Sequence, residues 1–165
     1  MNPLPNERGP AEEPRRVADD RPRPPDREAY VRFEPLDTRW SDNDVYGHVN
    51  NVVYYSYFDT AVNRHLIEAG VLDPVEGALI GLVVETQCRY FAPLSFPQPI
   101  EAGLRVAHIG RSSVRYEIGL FAAHQSLAAA AGHFVHVYVD RRDRRPRPLP
   151  PDWLRVLEAL RPGGG

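Results

Sequence analysis

The sequence predicts an α+β fold in which a five-stranded antiparallel sheet wraps around one long helix. One long segment carries apolar residues at spacings of three and four, and five other runs alternate between apolar and polar residues. Along the chain the order is one strand, the helix, four strands and a short final helix. Because the long helix follows the first strand, that strand must pair with a strand that is not its sequence neighbour. An antiparallel sheet around a single helix satisfies this requirement.

The composition narrows the range of functions. The 165 residues suit one domain, and a net charge of −2 gives no reason to expect a nucleic-acid or membrane partner. One cysteine, Cys88, excludes an internal disulfide framework and a multi-cysteine zinc site. All 20 basic residues are arginine, so Schiff-base and P-loop lysine chemistry are excluded as well. With no apolar leader and no long apolar run, we expect a soluble, cytoplasmic protein.

Composition also divides the chain. Residues 1–29 are dense in proline, arginine and acidic residues and nearly free of large apolar groups, which predicts a disordered N-terminal tail. Residues 30–161 form the expected domain, and residues 162–165 form a flexible C-terminal tail.

Each predicted element has a simple sequence signal. The first strand is expected within 31–40, and the helix is expected to open at Gly47 and His48 and to end near Ala69, with Gly70 as its C-cap. A final helix over 153–160 would be capped by Asp152. Alternation predicts the remaining strands over 82–91, 100–109, 114–122 and 128–139.

The junction between the first strand and the helix, residues 42–51, has the sequence Asp-Asn-Asp-Val-Tyr-Gly-His-Val-Asn-Asn. A helix start offers free backbone N–H groups and a partial positive charge. A carboxylate beside such donors is a plausible reaction centre, since one group carries negative charge and the other stabilises it. Aspartates also commonly cap turns, so Asp44 read by itself fits either role. For Asp42 we expect a structural role in holding the loop.

The motif at 42–51 resembles the signature of hotdog-fold acyl-CoA thioesterases, the 4-hydroxybenzoyl-CoA thioesterase-like group. Three later segments agree with it in order: Arg89–Pro93, Gly110–Ser113 and Val139–Arg141. The resemblance implies a hotdog fold whose sheets join edge to edge in a homodimer, often paired again into a homotetramer. It also implies substrate sites that lie between subunits.

The resemblance further implies hydrolysis of an acyl-CoA thioester to a carboxylic acid and CoA, without a metal or organic cofactor. Asp44 takes the catalytic position, as general base or nucleophile. Backbone N–H groups of Gly47, His48 and Val49 would polarise the thioester carbonyl. Some hotdog enzymes carry the carboxylate on the helix, which makes Asp59 the alternative catalytic residue.

The candidate substrate-binding residues fall into two groups. Three follow the motif into the helix, and three lie in the turn between the second and third of the four later strands: Asn50, Asn51 and Tyr54, then Arg111, Ser112 and Ser113. Asparagine bonds readily to nearby backbone groups, which favours a role for Asn50 and Asn51 in fixing the junction over contact with the substrate. A basic run from Arg141 to Arg147 is either a solvated loop or a contact for the phosphates of CoA.

Two other functions remain open at this point. The first keeps the enzyme and replaces acyl-CoA by an acyl carrier protein thioester. The second is a non-catalytic acyl-CoA-binding module on the same fold, against which the intact acidic motif argues.

Overall fold

The computed structural model describes residues 22–163, which form one antiparallel sheet with two helices. The strands and helices follow one another as β1 (Arg32–Leu36), α1 (Val53–Glu68), β2 (Leu79–Tyr90), β3 (Ile100–Ile109), β4 (Ser113–Ala122), β5 (Ala130–Asp140) and α2 (Pro151–Glu158).

The five strands lie in the order β1-β3-β4-β5-β2, and every neighbouring pair is antiparallel. The first strand pairs with β3, which places Glu34 opposite Ala102. The second strand pairs with β5, with Tyr90 opposite Ala130. The predicted five-stranded antiparallel sheet is therefore confirmed, with β1 at one edge and β2 at the other.

The first helix is shorter than predicted. It has 16 residues and begins at Val53, whereas the sequence led us to expect a start at Gly47. The backbone N–H of Val49 donates to the Leu94 carbonyl and that of Asn50 to the Asp42 carbonyl, so the chain closes a loop before the helix begins. Leu94 is distant in sequence, and its bond could not be seen in the local pattern.

The last helix also differs from the prediction at its start. Pro150 is its N-cap and Pro151 its first residue, and no side chain caps it. Proline suits the first turn because backbone N–H groups there have no acceptor within the helix, so the missing N–H of proline costs no hydrogen bond. The predicted cap at Asp152 was wrong, since this residue lies inside the first turn.

One face of the sheet packs against α1. The buried side of the helix consists of Tyr54, Tyr57, Phe58, Ala61, Val62 and Leu66. Alternate residues of the central strands meet it, including the fully buried Leu104, Ile118 and Leu120. Burying such side chains contributes roughly 1.5–3 kcal/mol each, so this layer supplies most of the stability.

The opposite face of the sheet carries the segment that precedes β1. Tyr30 lies over two glycines, and a Cβ atom at Gly103 or Gly119 would come within 2.8 or 2.6 Å of its ring. The Arg27 guanidinium lies 4.2 Å from the centre of the Phe33 ring and 2.8 Å from Glu101. Residues 22–29 thus belong to the folded unit, although they fall within the predicted disordered tail. Residues 1–21 and 164–165 of the predicted tails lie outside the described part of the chain.

The edge strand β2 is exposed along most of its length. Three consecutive apolar residues, Leu82, Val83 and Val84, are 39%, 46% and 60% exposed. On its paired side β2 approaches β5 closely at Gly132, where a Cβ atom would collide with the Gln87 carbonyl and lie 2.8 Å from the Phe58 ring. Within residues 22–163, neither helix has the length and apolar character to cross a membrane.

Candidate active site

The loop between β1 and α1 is anchored by Asp42, which is only 1% exposed. Its carboxylate accepts hydrogen bonds from the Tyr57 hydroxyl at 2.6 Å, the Arg39 backbone N–H at 2.7 Å and the Arg39 side chain at 3.0 Å. Burial alone would raise the Asp42 pKa, but the bonds from Tyr57 and Arg39 outweigh it and hold the pKa below its usual value. Asp42 therefore has the structural role expected for it.

Asp44 has different surroundings. It is half-buried, and its Oδ1 accepts one hydrogen bond, from the Tyr46 backbone N–H at 2.8 Å. The other oxygen, Oδ2, accepts no hydrogen bond from the described residues. The loop holds Asp44 in place through its backbone, because its N–H donates to the His48 carbonyl at 2.8 Å and its carbonyl accepts from Gly47 at 3.1 Å. One carboxylate oxygen thus remains available for chemistry.

The three predicted carbonyl-polarising N–H groups are not equally available. Gly47 donates to the Asp44 carbonyl and Val49 to the Leu94 carbonyl, so both N–H groups are already bonded within the chain. The N–H of His48 donates to no acceptor among the described residues. The positive φ of Gly47, 81°, permits the tight reversal that closes the loop.

A free donor lies instead at the start of the helix. From residue 49 to residue 53, four N–H groups are used: Val49 and Asn50 as described above, Val52 to the Asn50 side chain and Val53 to the Asn50 carbonyl. The N–H of Asn51 has no acceptor within residues 22–163. Sequence reasoning placed Asn51 among the substrate contacts but did not single out its backbone. Asn50 fixes the helix start in the way of a capping residue.

An aromatic cluster adjoins this helix start. Tyr54, in the first turn, is 3% exposed, and the Tyr90 ring packs edge-on against it at 4.9 Å. Burial raises the Tyr54 pKa most, and the nearby Asp44 carboxylate adds to the increase. The Cys88 thiol pKa is likewise raised by burial, to about 11, which leaves a neutral, weakly reactive group at ordinary pH. This environment suits Cys88 to packing and not to nucleophilic chemistry.

The tip of the loop is exposed and apolar. Val45 and Tyr46 are 94% and 81% exposed, and Val52 beside the helix start is 64% exposed. Large apolar side chains that stand so far into solvent around a carboxylate are typical of a surface that another molecule covers.

The second predicted group of substrate contacts lies elsewhere in the single chain. Arg111, Ser112 and Ser113 form the turn between β3 and β4, and the carbonyls of Arg111 and Ser112 accept from Leu149 and Tyr138. The loop with Asp44 contacts Leu94, at the opposite end of β3. With β3 ten residues long, the two groups are separated by about 33 Å of strand. One chain does not bring them together.

The remaining candidates have ordinary partners. Asp59 is exposed on α1, and its Oδ1 accepts from Asn63 at 3.0 Å. Arg141 donates to the carbonyls of Gly77 and Pro74 and so fastens the loop before β2. Most of the other side chains in the run are exposed to solvent: Arg142, Arg144, Arg145 and Arg147.

Comparison with known proteins agrees with this architecture. The family model described as the thioesterase-like superfamily matches residues 38–160. The crystal structure of the PA5185 protein from Pseudomonas aeruginosa strain PAO1 is 58% identical, with a TM-score of 0.83 over 86% of this chain and 99% of that one. No curated protein matches the sequence.

Two solved thioesterases share the fold at lower identity. The 1,4-dihydroxy-2-naphthoyl-CoA thioesterase from Synechocystis is 16% identical, with a TM-score of 0.69 over 76% of this chain and 93% of that one. The DHNA-CoA thioesterase from Staphylococcus aureus is 19% identical, with a TM-score of 0.68 over 75% and 86%. The chain therefore belongs to the thioesterase-like superfamily, which confirms the hotdog-fold thioester hydrolase predicted from residues 42–51.

Proposed function

We propose that the protein hydrolyses an acyl-CoA thioester to a carboxylic acid and free CoA at a site formed by Asp44 and the start of α1. The observation that carries this proposal is the free backbone N–H of Asn51. This group lies at the start of the helix, next to the loop that holds Asp44. The two solved thioesterases named above act on CoA thioesters, which favours the same carrier here.

Thioester hydrolysis needs a stabilised oxyanion, and the Asn51 N–H is suited to provide it. A peptide group is planar and trans, so the Asn51 N–H points opposite to the Asn50 carbonyl. That carbonyl accepts from Val53 at 2.9 Å and is directed into the helix. The Asn51 N–H therefore points away from the helix, with the positive end of the helix dipole behind it. The free N–H of His48 is a second candidate donor.

Asp44 supplies the other half of the reaction. As a general base, its free oxygen takes a proton from water while the resulting hydroxide attacks the carbonyl carbon. The oxyanion then collapses, the carbon–sulfur bond breaks, and the CoA thiolate leaves and takes up a proton. As a nucleophile, the same oxygen attacks the carbon directly, and the carbon–sulfur bond breaks to release the CoA thiolate. Water then hydrolyses the mixed anhydride that has formed and regenerates the Asp44 carboxylate. In both routes the Asn51 N–H stabilises the negative charge that develops on the carbonyl oxygen.

We also propose that two copies pair through their β2 strands to complete the site. The strand offers 12 residues with one unpaired edge, and its exposed apolar residues Leu82, Val83 and Val84 would be covered by a second copy. In an antiparallel pair, the end of β2 near Asp44 faces the beginning of β2 in the second copy.

This pairing explains the separation of the two predicted groups. The turn with Arg111, Ser112 and Ser113 lies near the beginning of β2, because Ser113 pairs with Val137 and Val137 pairs with Leu82. Across the dimer, this turn of one copy comes close to Asp44 of the other. Arg142, Arg144 and Arg145 lie at the same end and add positive charge there. The proposal thus assigns the CoA end of the substrate to the second copy.

Release of free thiol from a panel of acyl-CoAs tests the activity, with matched acyl carrier protein thioesters in parallel. Absence of hydrolysis across both panels would reject the enzyme and favour a binding module. Light scattering tests the pairing, since a stable, active monomer would contradict it.

Replacing Asn51 with proline tests the donor. Asn51→Pro removes an N–H that no described residue accepts, and proline is tolerated at a helix start, so the fold should survive. We expect kcat to fall by roughly 10²-fold or more. Asn51→Ala keeps the N–H and should lose far less. Equal effects of the two substitutions would place the function in the Asn51 side chain.

A further inference from the structure

Tyr90 links the edge strand of the sheet to the start of the helix. It is the last residue of β2, and its hydroxyl donates to the Asn51 carbonyl at 3.0 Å, across 39 residues of sequence. Its ring stands at 87° to the Tyr54 ring with centres 4.9 Å apart, which sets the direction of the hydroxyl.

The peptide group that accepts the hydrogen bond from Tyr90 also donates one through its N–H. The peptide between Asn51 and Val52 presents its carbonyl to Tyr90 and its N–H to the Asn50 side chain at 3.1 Å. The preceding peptide presents its carbonyl to Val53, and its N–H, that of Asn51, has no acceptor within residues 22–163. Because the two peptide planes share the Asn51 Cα atom, fixing one restricts the rotation of the other.

We infer that Tyr90 is a positioning residue for thioester hydrolysis, which fixes the direction of the Asn51 N–H by holding the Asn51 carbonyl. The inference rests on the proposed function, in which this N–H binds the oxyanion. Tyr90 acts through the backbone and needs no contact with the reacting atoms. When the Asn51 N–H already points at the position of the oxyanion, the backbone needs no reorganisation as the oxyanion forms.

The Tyr90 hydroxyl keeps its proton at neutral pH. Burial raises the Tyr90 pKa most, and the neighbouring Cys88 thiol and Tyr55 hydroxyl raise it further. Tyr90 therefore remains a donor around neutral pH, and its removal should leave the pH profile of kcat unchanged there.

Tyr90→Phe tests the inference, since it keeps the ring and removes only the hydroxyl. We expect kcat to fall about fivefold, the effect of one neutral hydrogen bond, with KM unchanged. The matched control is Tyr138→Phe, which removes the buried 2.6 Å bond to the Tyr116 hydroxyl. The control should lower the melting temperature and leave kcat intact. A raised KM with unchanged kcat for Tyr90→Phe would make Tyr90 a substrate contact and overturn the inference.

A double substitution separates positioning from a general structural effect. In an Asn51→Pro background the donor is already absent, so adding Tyr90→Phe should cause no further loss of kcat. A further fivefold loss would show that Tyr90 acts by another route.

Amide NMR provides a readout that needs no substrate. Tyr90→Phe should displace the Asn51 amide resonance, and Tyr138→Phe should leave it in place. An unmoved Asn51 resonance would overturn the inference even if no acyl-CoA were hydrolysed. If wild type hydrolyses acyl-CoA and Asn51→Pro does not, yet Tyr90→Phe matches wild type, the proposed function stands and the positioning role falls.

Discussion

The loop before α1 has an anchored part around Asp42 and an exposed tip around Asp44, only two residues away. Asp42 is 1% exposed, and three hydrogen bonds from Tyr57 and Arg39 occupy its oxygens. Asp44 is half-buried, and a single backbone N–H occupies one of its oxygens. The same side chain thus serves stability where its bonds are satisfied and remains available for chemistry where they are not.

The largest expected effect tests the exposed part of this comparison. Asp44→Asn removes the base or nucleophile, so we expect kcat to fall by roughly 10²- to 10⁴-fold in a thiol-release assay. Its free energy of unfolding should change by less than about 1 kcal/mol, because the side chain makes one hydrogen bond. Near-wild-type turnover of Asp44→Asn would show that Asp44 is not the catalytic carboxylate. A larger loss for Asp59→Ala would move the catalytic carboxylate to the helix.

The anchored part should show the reverse pattern. Asp42→Asn leaves Tyr57 and Arg39 without their charged acceptor, and we expect a loss of about 3 kcal/mol in the free energy of unfolding. Urea titration at neutral pH measures this loss, with Asp44→Asn as the matched control on the same loop. Equal stability of the two variants would remove the distinction between the two aspartates.

Two buried ionisable groups, Asp42 and His136, should affect the free energy of unfolding in different pH ranges. Burial against aromatic rings and Gly81 lowers the His136 pKa from 6.5 to about 4. Protonation therefore favours the unfolded chain, and stability present above pH 6.5 should decline by about 3 kcal/mol as the pH falls to 4. Asp42 has a lowered pKa, so its contribution persists through this window and is lost only below its usual value of 3.8.

The substitution His136→Phe should flatten this decline between pH 6.5 and pH 4. Denaturant titrations at several pH values measure it, and His108→Gln, at an exposed position, serves as the control. An unchanged pH dependence in His136→Phe would assign the decline to other groups.

The smallest expected effect concerns the basic loop at the far end of the sheet. If Arg144 and Arg145 of the second copy meet the phosphates of CoA, replacing both with alanine should raise KM for acyl-CoA a few-fold and leave kcat alone. The change should shrink at high salt, where exposed charge pairs are screened. A truncated thioester without the nucleotide should not distinguish the variant from wild type. An unchanged KM at low salt would leave the run as a solvated loop.

Sequence patterns predicted the sheet well because its signals are local. Alternation gave the bounds of β3 and placed β4 within one residue, since the inward residues of both strands are buried in the core. The position of Asp44 on a loop next to a helix was also visible from the motif, because Gly47 and the asparagines interrupt the apolar pattern.

The errors arose where distant residues decide the structure. The start of α1 depends on the bond from Val49 to Leu94, 45 residues later, and that bond also removes Val49 as an oxyanion donor. Residues 22–29 have the composition of a disordered segment, yet Arg27 is held by Phe33 and Glu101. Tyr90 lies within the segment Arg89–Pro93, but only the bond from its hydroxyl to the Asn51 carbonyl points to the positioning role inferred for it.

The close approach at Gly132 has a consequence for how the protein tolerates mutation. Any side chain at this position would meet the Gln87 carbonyl and push β2 away from β5. The displaced strand carries both the edge through which we propose that two copies pair and the tyrosine that reaches the helix start. A random-mutagenesis screen for inactive enzyme would therefore recover substitutions of Gly132, near the start of β5, although this position has no chemical function of its own.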